Sequence, residues 1–347
     1  MNIAKPILQW YTENKRDLPW RDTKDPYKIW LSEIILQQTQ VNQGMPYYLA
    51  FVKNYPTVNH LASASEEEVL KLWQGLGYYS RARNLHATAQ YIASQEKGIF
   101  PENYKGLLNL KGVGDYTASA IASICYNQNH AVVDGNVYRV LSRVYGITAP
   151  INSSKGIKMF KELANEQLDR TDPGTYNQAV MEFGARHCKP KNPICNPCVF
   201  SNHCTAYNTQ SIEKLPVKTK MAKPKKRYFN FMVILSKTGE TILTKRPSKG
   251  IWANLYQFPL LETQNQRSES ELKVSLLNSE VLKPLEVLSI SSYNETPMVH
   301  KLSHQHLYAR FWVIRAKTLP QKSISISEIN QYPVPRLIEK FINEFPF

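Results

Sequence analysis

The chain has 347 residues, enough for two cores, and its 43 Lys and Arg against 28 Asp and Glu leave a net charge of +15. That balance points to polyanionic partners, nucleic acid first among them. No apolar stretch approaches the roughly 20 residues of a spanning helix, so a membrane protein is not expected. The charges in the opening MNIAKPILQWYTENKRDLPW interrupt any apolar signal segment, which predicts an intracellular, cytoplasmic location. In chain order, apolar residues at helical spacing mark 27–43, 66–74, 80–95, 115–125, 136–145, 156–168 and 176–187, separated by Gly, Pro and Asn. Residues 1–206 are therefore predicted to form an all-α domain. The basic, proline-containing run Ile212 to Arg227 reads as an interdomain linker within 207–227, with Lys223 to Arg227 too short to be assigned as an import signal. Beyond it, 229–235 and 306–314 read as strands and 267–278 and 334–344 as helices, so 228–347 is predicted to be α+β.

Four of the five cysteines fall together, Cys188, Cys195, Cys198 and Cys204, with six, two and five residues between successive thiols. A structural zinc site draws its ligands from two tight pairs, and only Cys195 and Cys198 form one. A cubane iron–sulfur cluster fits the spacing better, with zinc the alternative. Cys125 lies in the apolar run Ile121 to Cys125, where a buried small side chain is expected.

Two glycines one residue apart, Gly112 and Gly114 in Leu110-Lys111-Gly112-Val113-Gly114-Asp115-Tyr116-Thr117, sit where one helix should end and another begin. Such a turn exposes backbone amides that can hold a phosphate without reading a base; on its own it is also an ordinary helix C-cap. Twenty residues beyond Gly114, an apolar approach delivers Asp134 at a helix start, where an N-cap is the bland reading. The hairpin, the aspartate at this separation and the cysteine spacing together resemble the iron–sulfur branch of the helix-hairpin-helix DNA glycosylase superfamily. The resemblance implies a multidomain chain: an all-α helix-hairpin-helix glycosylase domain, with the hairpin at about 107–126 and an iron–sulfur cluster loop at 188–204, followed by an α+β Nudix-like domain. It also implies one 4Fe–4S cluster held by the four cysteines.

Lyase-type members of that superfamily carry a lysine two residues after the second hairpin glycine, to form a Schiff base. Here the position is Tyr116, and a phenol cannot form an imine, so a monofunctional glycosylase is expected. The segment LSEIILQQTQV (Leu31 to Val41), with LPWR (Leu18 to Arg21) and GLGYYSRARNL (Gly75 to Leu85), closely resembles the MutY-type adenine DNA glycosylases. Glu33 has Ile29 and Trp30 one turn before it and Leu36 one turn after, and a carboxyl so surrounded holds its proton near neutral pH, as a general acid must. The resemblance makes Glu33 the acid and Asp134 the charge that stabilises an oxocarbenium-like sugar, with Tyr116 and Asn136 in support. It assigns Gln38 and Tyr78 to probing the duplex, Gly112 and Gly114 to anchoring it, and Arg16, Trp20, Arg21 and Gln178 to the adenine pocket. Arg81, Arg83, Arg139 and Arg143 are phosphate-contact candidates.

In the second domain, Leu302-Ser303-His304 resembles the family's Phe-Ser-His loop that touches the oxidised guanine, with leucine in place of the aromatic, and Ser303 and His304 carry the contact. The residues after Pro259 lack the glutamate array of a Nudix hydrolase, so no pyrophosphatase activity is expected. Lys111 and Asp115 depart from the usual hairpin, the latter placing an acid beside a phosphate site. The expected partner is double-stranded DNA bearing adenine opposite 8-oxoguanine or guanine, bound by a monomer. The alternatives are a bifunctional pyrimidine-lesion glycosylase and lyase, which Tyr116 argues against, and a non-catalytic DNA binder, which Glu33 and Asp134 argue against.

Overall fold

The computed structural model describes residues 2–219, 223–320 and 322–347; Lys220, Met221 and Ala222 of the expected linker lie outside them. The helices in chain order are α1 (Ala4–Asn14), α2 (Pro26–Leu36), α3 (Val41–Asn54), α4 (Val58–Ser63), α5 (Glu66–Leu72), α6 (Ser80–Gln95), α7 (Tyr104–Leu108), α8 (Asp115–Tyr126), α9 (Gly135–Tyr145), α10 (Ser154–Gln167), α11 (Pro173–Arg186) and α12 (Thr205–Asn208). Two compact units result. One holds residues 1–63 and 84–220, the other 64–83 and 221–347.

The first unit is helical, as the spacing predicts. Asp25 starts α2 by accepting a hydrogen bond from the Tyr27 amide at 3.0 Å, with Pro26 already preset in φ. The helix is apolar nearly all round, and Ile29, Trp30, Leu31, Ile34 and Ile35 are all buried, so α2 runs through the core. The spacing suggested one helix over 27–43. The structure breaks it after Leu36, because Gln38 adopts φ +58°, a left-handed backbone that no i to i−4 ladder accommodates. Gly112 turns the chain between α7 and α8 at φ +80°, and a Cβ there would lie 2.7 Å from Asn84 Cβ, so both conformation and space demand glycine.

In the second unit, a mixed sheet is built on β1 (Lys225–Ser236), β2 (Glu240–Thr241), β5 (Leu260–Thr263), β6 (Val287–Ser292), β7 (Met298–Lys301), β8 (Gln305–Ala316) and β9 (Ile324–Ser325), while β3 (Thr244–Lys245) pairs with β4 (Tyr256–Gln257). The central pair, β1 and β8, is parallel over its full length, from Lys225 opposite Gln305 to Ser236 opposite Ala316. Helix α13 (Glu269–Leu277) covers one face, packing Leu272 and Leu276 on Met232, Ile234, Trp312 and Ile314. Helix α14 (Arg336–Glu344) serves the other, its Phe341 stacked 4.1 Å from Phe311. Truncating such a buried phenylalanine to alanine costs about 3–5 kcal/mol.

A division at residue 206 does not anticipate that 64–83 groups with the strand-rich unit. The reason is a set of polar contacts distant in sequence. Glu67 pairs with Lys245 at 2.6 Å, Glu66 accepts from Asn254 at 2.6 Å, Gln74 accepts from the Val334 amide at 3.2 Å, and Tyr79 Oη donates to the Val334 carbonyl at 3.2 Å.

Candidate active site

A cavity of about 160 Å³ in the first unit is lined by Glu33, Tyr116, Asp134, Asn136, Arg16, Arg21, Gln178 and Glu182. Glu33, on the buried stretch of α2, is 9% exposed. Burial pushes its carboxyl up from 4.5 to about 7; the Tyr116 hydrogen bond opposes this, the Asp134 charge adds to it and Arg21 opposes it. Asp134 caps α9, accepting from the amides of Asn136 at 2.9 Å and Val137 at 2.8 Å, while Asn136 Nδ2 donates to its second oxygen at 2.7 Å. Burial moves Asp134 upward as well, and these donors hold it back. The cap and the charged centre are one arrangement: a helix N-terminus stabilises the carboxylate it orients. Tyr116, in the first turn of α8, stays protonated, its phenol raised well above the ordinary value by burial and by Glu33.

Helix α11 presents Gln178 and Glu182 to the same cavity, four residues apart on one face. Glu182, 1% exposed, takes a bidentate pair of hydrogen bonds from Arg16 at 2.7 and 2.6 Å and one from Arg21 at 2.7 Å. Burial alone would raise its pKa, but the two guanidiniums outweigh it and bring Glu182 down to about 2. Gln178 Oε1 accepts from Tyr11 Oη at 3.0 Å, and Trp20 is buried edge-on against Tyr48, ring centroids 5.0 Å apart.

The cavity opens into a wider groove that Gln37, Gln38, Thr39, Gly114, Thr117 and Pro190 line. Gln38 is exposed there, and Gly114 leads directly into α8 with nothing within 4 Å of where its Cβ would be, so no protein atom demands that glycine. Tyr78, Ser303 and His304 are carried by the second unit. Tyr78 is 52% exposed at φ +46°, between the left-handed Gly77 and α6, and its Oη lies 2.9 Å from Ser303 Oγ in the turn between β7 and β8. Gln38 and Tyr78 thus both hold a backbone that costs about 1–2 kcal/mol for a residue with a Cβ.

The four arginines suggested as phosphate contacts are otherwise engaged. Arg143, 3% exposed, donates to the carbonyls of Ile212, Leu215, Lys189 and Pro190. Arg139 donates to the Cys188 carbonyl at 2.6 Å and to Asn136 Oδ1 at 2.8 Å, which fixes the amide so that its nitrogen faces Asp134. Arg81 is buried over Trp73, and Arg83 donates to the Ala253 carbonyl at 2.9 Å. Cys188, Cys195, Cys198 and Cys204 line one small cavity, and Arg143 Nη1 approaches Cys188 Sγ at 3.5 Å. Burial above all, opposed by the Phe200 amide and reinforced by the other three cysteines, raises Cys198 to about 11. Cys188, Cys195, Cys198 and Cys204 are the residues that would hold a metal cluster, four sulfur donors being the usual ligand set of an iron–sulfur group or a structural zinc ion. Among the described residues no group of three or more His, Cys, Asp or Glu side chains is arranged to hold a metal ion.

Residues 31–166 match the HhH-GPD superfamily of base excision DNA repair proteins, and 230–344 match the NUDIX domain. The chain is 37% identical over 316 residues to an adenine DNA glycosylase of Buchnera aphidicola subsp. Baizongia pistaciae, an alignment covering 89% of this chain and 85% of that one. The chain belongs to the adenine DNA glycosylase family. A second relative with the same description, from Buchnera aphidicola subsp. Acyrthosiphon pisum, is 31% identical over 99% of this chain and 97% of its own. A solved thermostable thymine-DNA glycosylase superposes with a TM-score of 0.56 at 30% identity, covering 60% of this chain and 95% of that one. The expected family, its two folds and a DNA glycosylase of base excision repair are thereby established. No helix among the described residues is long and apolar enough to cross a membrane.

Two elements of this glycosylase's pocket escaped the sequence reading. Glu182 is one, although its place four residues after Gln178 on a helix is a usable signal. Arg139 is the other; its basic character suggested phosphate, whereas its partners are Cys188, Gly184 and Asn136.

Proposed function

We propose that this glycosylase hydrolyses the N-glycosidic bond of adenine paired with 8-oxoguanine, and with guanine, acting as a monomer on duplex DNA and leaving an abasic site. The carrying observation is the buried Glu33, its pKa pushed up to about 7, in one cavity with Asp134. Adenine leaves poorly as an anion. Glu33 donates its proton to N7 of the flipped base, the electron pair of the glycosidic bond passes to the purine, and positive charge develops on the sugar. Asp134, its carboxylate form favoured by three N–H donors against the upward push of burial, stabilises that charge until water attacks. Asn136 fixes Asp134, Tyr116 supports Glu33, and Arg16, Trp20, Arg21 and Gln178 shape the adenine pocket. Tyr116 supplies no amine, so the backbone stays intact.

Gly112 and Gly114 anchor the DNA through backbone amides. Gln38 and Tyr78, both strained, probe the stack, since a mispaired base is cheaper to extrude. Ser303 and His304 contact the oxidised guanine. The four cysteines would hold a 4Fe–4S cluster, which when bound braces the loop carrying Lys189 and Lys191.

Single-turnover reactions on end-labelled duplexes with adenine opposite 8-oxoguanine, guanine or thymine, each developed with and without hot alkali, test this reading. Alkali-dependent breaks at the first two and none at the third are expected. Breaks without alkali would make the enzyme a lyase, and no breaks from protein with intact cluster absorbance would remove the substrate assignment.

A further inference from the structure

The acid at the first position of α8 stands beside the turn that the proposed function assigns to a DNA phosphate. A free carboxylate there would oppose the dipole end and the amides that attract the anion. Asp115 is not free. Lys161 Nζ, from α10, reaches across to Asp115 Oδ2 at 2.9 Å and also donates to Ser119 Oγ at 3.0 Å and to the Ala131 carbonyl at 2.7 Å. Tyr104 Oη donates to the other oxygen, Oδ1, at 2.5 Å, and its ring stacks 4.2 Å from His130. Both carboxylate oxygens are therefore engaged, by groups from α7 and α10.

Lys161 has a vantage that a surface lysine lacks. Its ammonium uses all three of its donors on fixed acceptors: one on the hairpin acid, one on the next turn of α8, and one on the strand-like approach to Asp134. The side chain is 24% exposed, so the charge is held in place rather than sweeping through solvent.

We infer that Lys161 is a positioning residue for DNA binding: it neutralises Asp115 and holds its carboxylate in place, so that the Gly112–Gly114 turn keeps its attraction for a phosphate. The inference rests on the assignment of that turn to the DNA backbone. Neither side chain needs to touch the DNA. Asp115 is tolerated because Lys161 is present, and the pair behaves as one neutral group.

A charge cycle tests this in the full-length, cluster-loaded protein carrying Glu33→Gln to prevent turnover. Lys161→Met, Asp115→Asn and the double variant are titrated by fluorescence anisotropy against a labelled duplex with adenine opposite 8-oxoguanine, over a series of salt concentrations. Lys161→Met should weaken binding about tenfold and flatten the salt dependence by about one phosphate contact. Asp115→Asn should bind at least as tightly as the parent, and adding it to Lys161→Met should restore both affinity and slope. A double variant as weak as Lys161→Met would overturn the inference, since a purely structural staple is not repaired by removing its partner. An unweakened Lys161→Met would overturn it equally. Should the Lys161→Met protein fail to fold, Asp115→Asn alone decides: weaker binding sinks the idea, equal or tighter binding sustains it. Adenine excision by the enzyme with native Glu33 is scored separately, so failure of the cycle and failure of the proposed substrate are distinguishable.

Discussion

Two carboxylates line one cavity, both nearly inaccessible to water, and their proton affinities lie on opposite sides of the ordinary value. Glu33 is pushed up to about 7 and Glu182 down to about 2. Burial acts upward on both. The difference is what faces them: Glu33 has a phenol, the Asp134 carboxyl and Arg21 only through its charge, whereas Glu182 has two guanidiniums in hydrogen-bond contact. The acid that gives up a proton has no guanidinium hydrogen-bonded to it, while the acid that holds two arginines in place stays ionised. The cavity therefore holds one carboxyl that can donate a proton and one carboxylate that stays charged.

Replacing Glu33 by glutamine breaks the comparison most severely. The amide keeps the shape and loses the proton, so the single-turnover rate should fall by about 10²–10⁴-fold while the dissociation constant for duplex DNA stays within about twofold. Parallel loss of binding would show that Glu33 organises the site rather than supplying the proton. Next in size is Glu182→Gln, which leaves Arg16 and Arg21 uncompensated and should cost about 3–5 kcal/mol in denaturant unfolding. A loss below about 1 kcal/mol would mean that the arginines find water as readily as the carboxylate.

The two carboxylates were unequally legible in the sequence. Glu33 could be found because its apolar neighbours lie within one helical turn, and Asp134 because an apolar approach ending in Asp-Gly-Asn is local too. Glu182 was reachable only as a neighbour of Gln178 on one helix face, and its role was not, since the charges that define it, Arg16 and Arg21, are 166 and 161 residues away in the chain. The same holds for Arg139, whose Gly184 and Cys188 carbonyl partners are 45 and 49 residues away, for Arg143, whose Lys189 and Leu215 carbonyl partners are 46 and 72 residues away, and for 64–83, which joins the strand-rich unit through contacts to Asn254, Lys245 and Val334. The strands were legible where both faces are buried and apolar, as in Phe229 to Leu235. The break after Leu36 was not, because a single left-handed glutamine leaves no compositional trace.

The opposed protonation states also give opposed pH dependences. Between 4.5, the ordinary value for a glutamate, and about 7 the unfolded chain ionises Glu33 while the folded protein keeps the proton, so stability falls as pH rises through that window, by about 3 kcal/mol in all. Glu182 acts the other way: its contribution is present above about 4.5 and is lost as pH falls toward about 2. Glu33→Gln should therefore melt higher than the parent at pH 8 and alongside it at pH 4.5, and Glu182→Gln should lose its disadvantage in strong acid. Thermal melts of the parent and both variants across pH check the two signs together. The excision rate should decline as pH rises past about 7, following the proton on Glu33.

The smallest change sharpens the comparison at the donating carboxyl. The Tyr116 hydroxyl has one proton and two acceptors near it, Met181 Sδ at 3.2 Å and the Glu33 carboxylate. A thioether is a weak acceptor, so the phenol turns to Glu33 whenever that group ionises, and the bond favours the charged form. Tyr116→Phe removes it at nearly constant volume, and the Glu33 midpoint should move further up, by about one pH unit, the equivalent of about 1.4 kcal/mol. In a rate–pH profile the descending limb shifts to higher pH, whatever happens to the plateau. A limb that moves to lower pH, or does not move, would place the phenol proton on Met181 and leave burial and Asp134 as the causes of the raised acid.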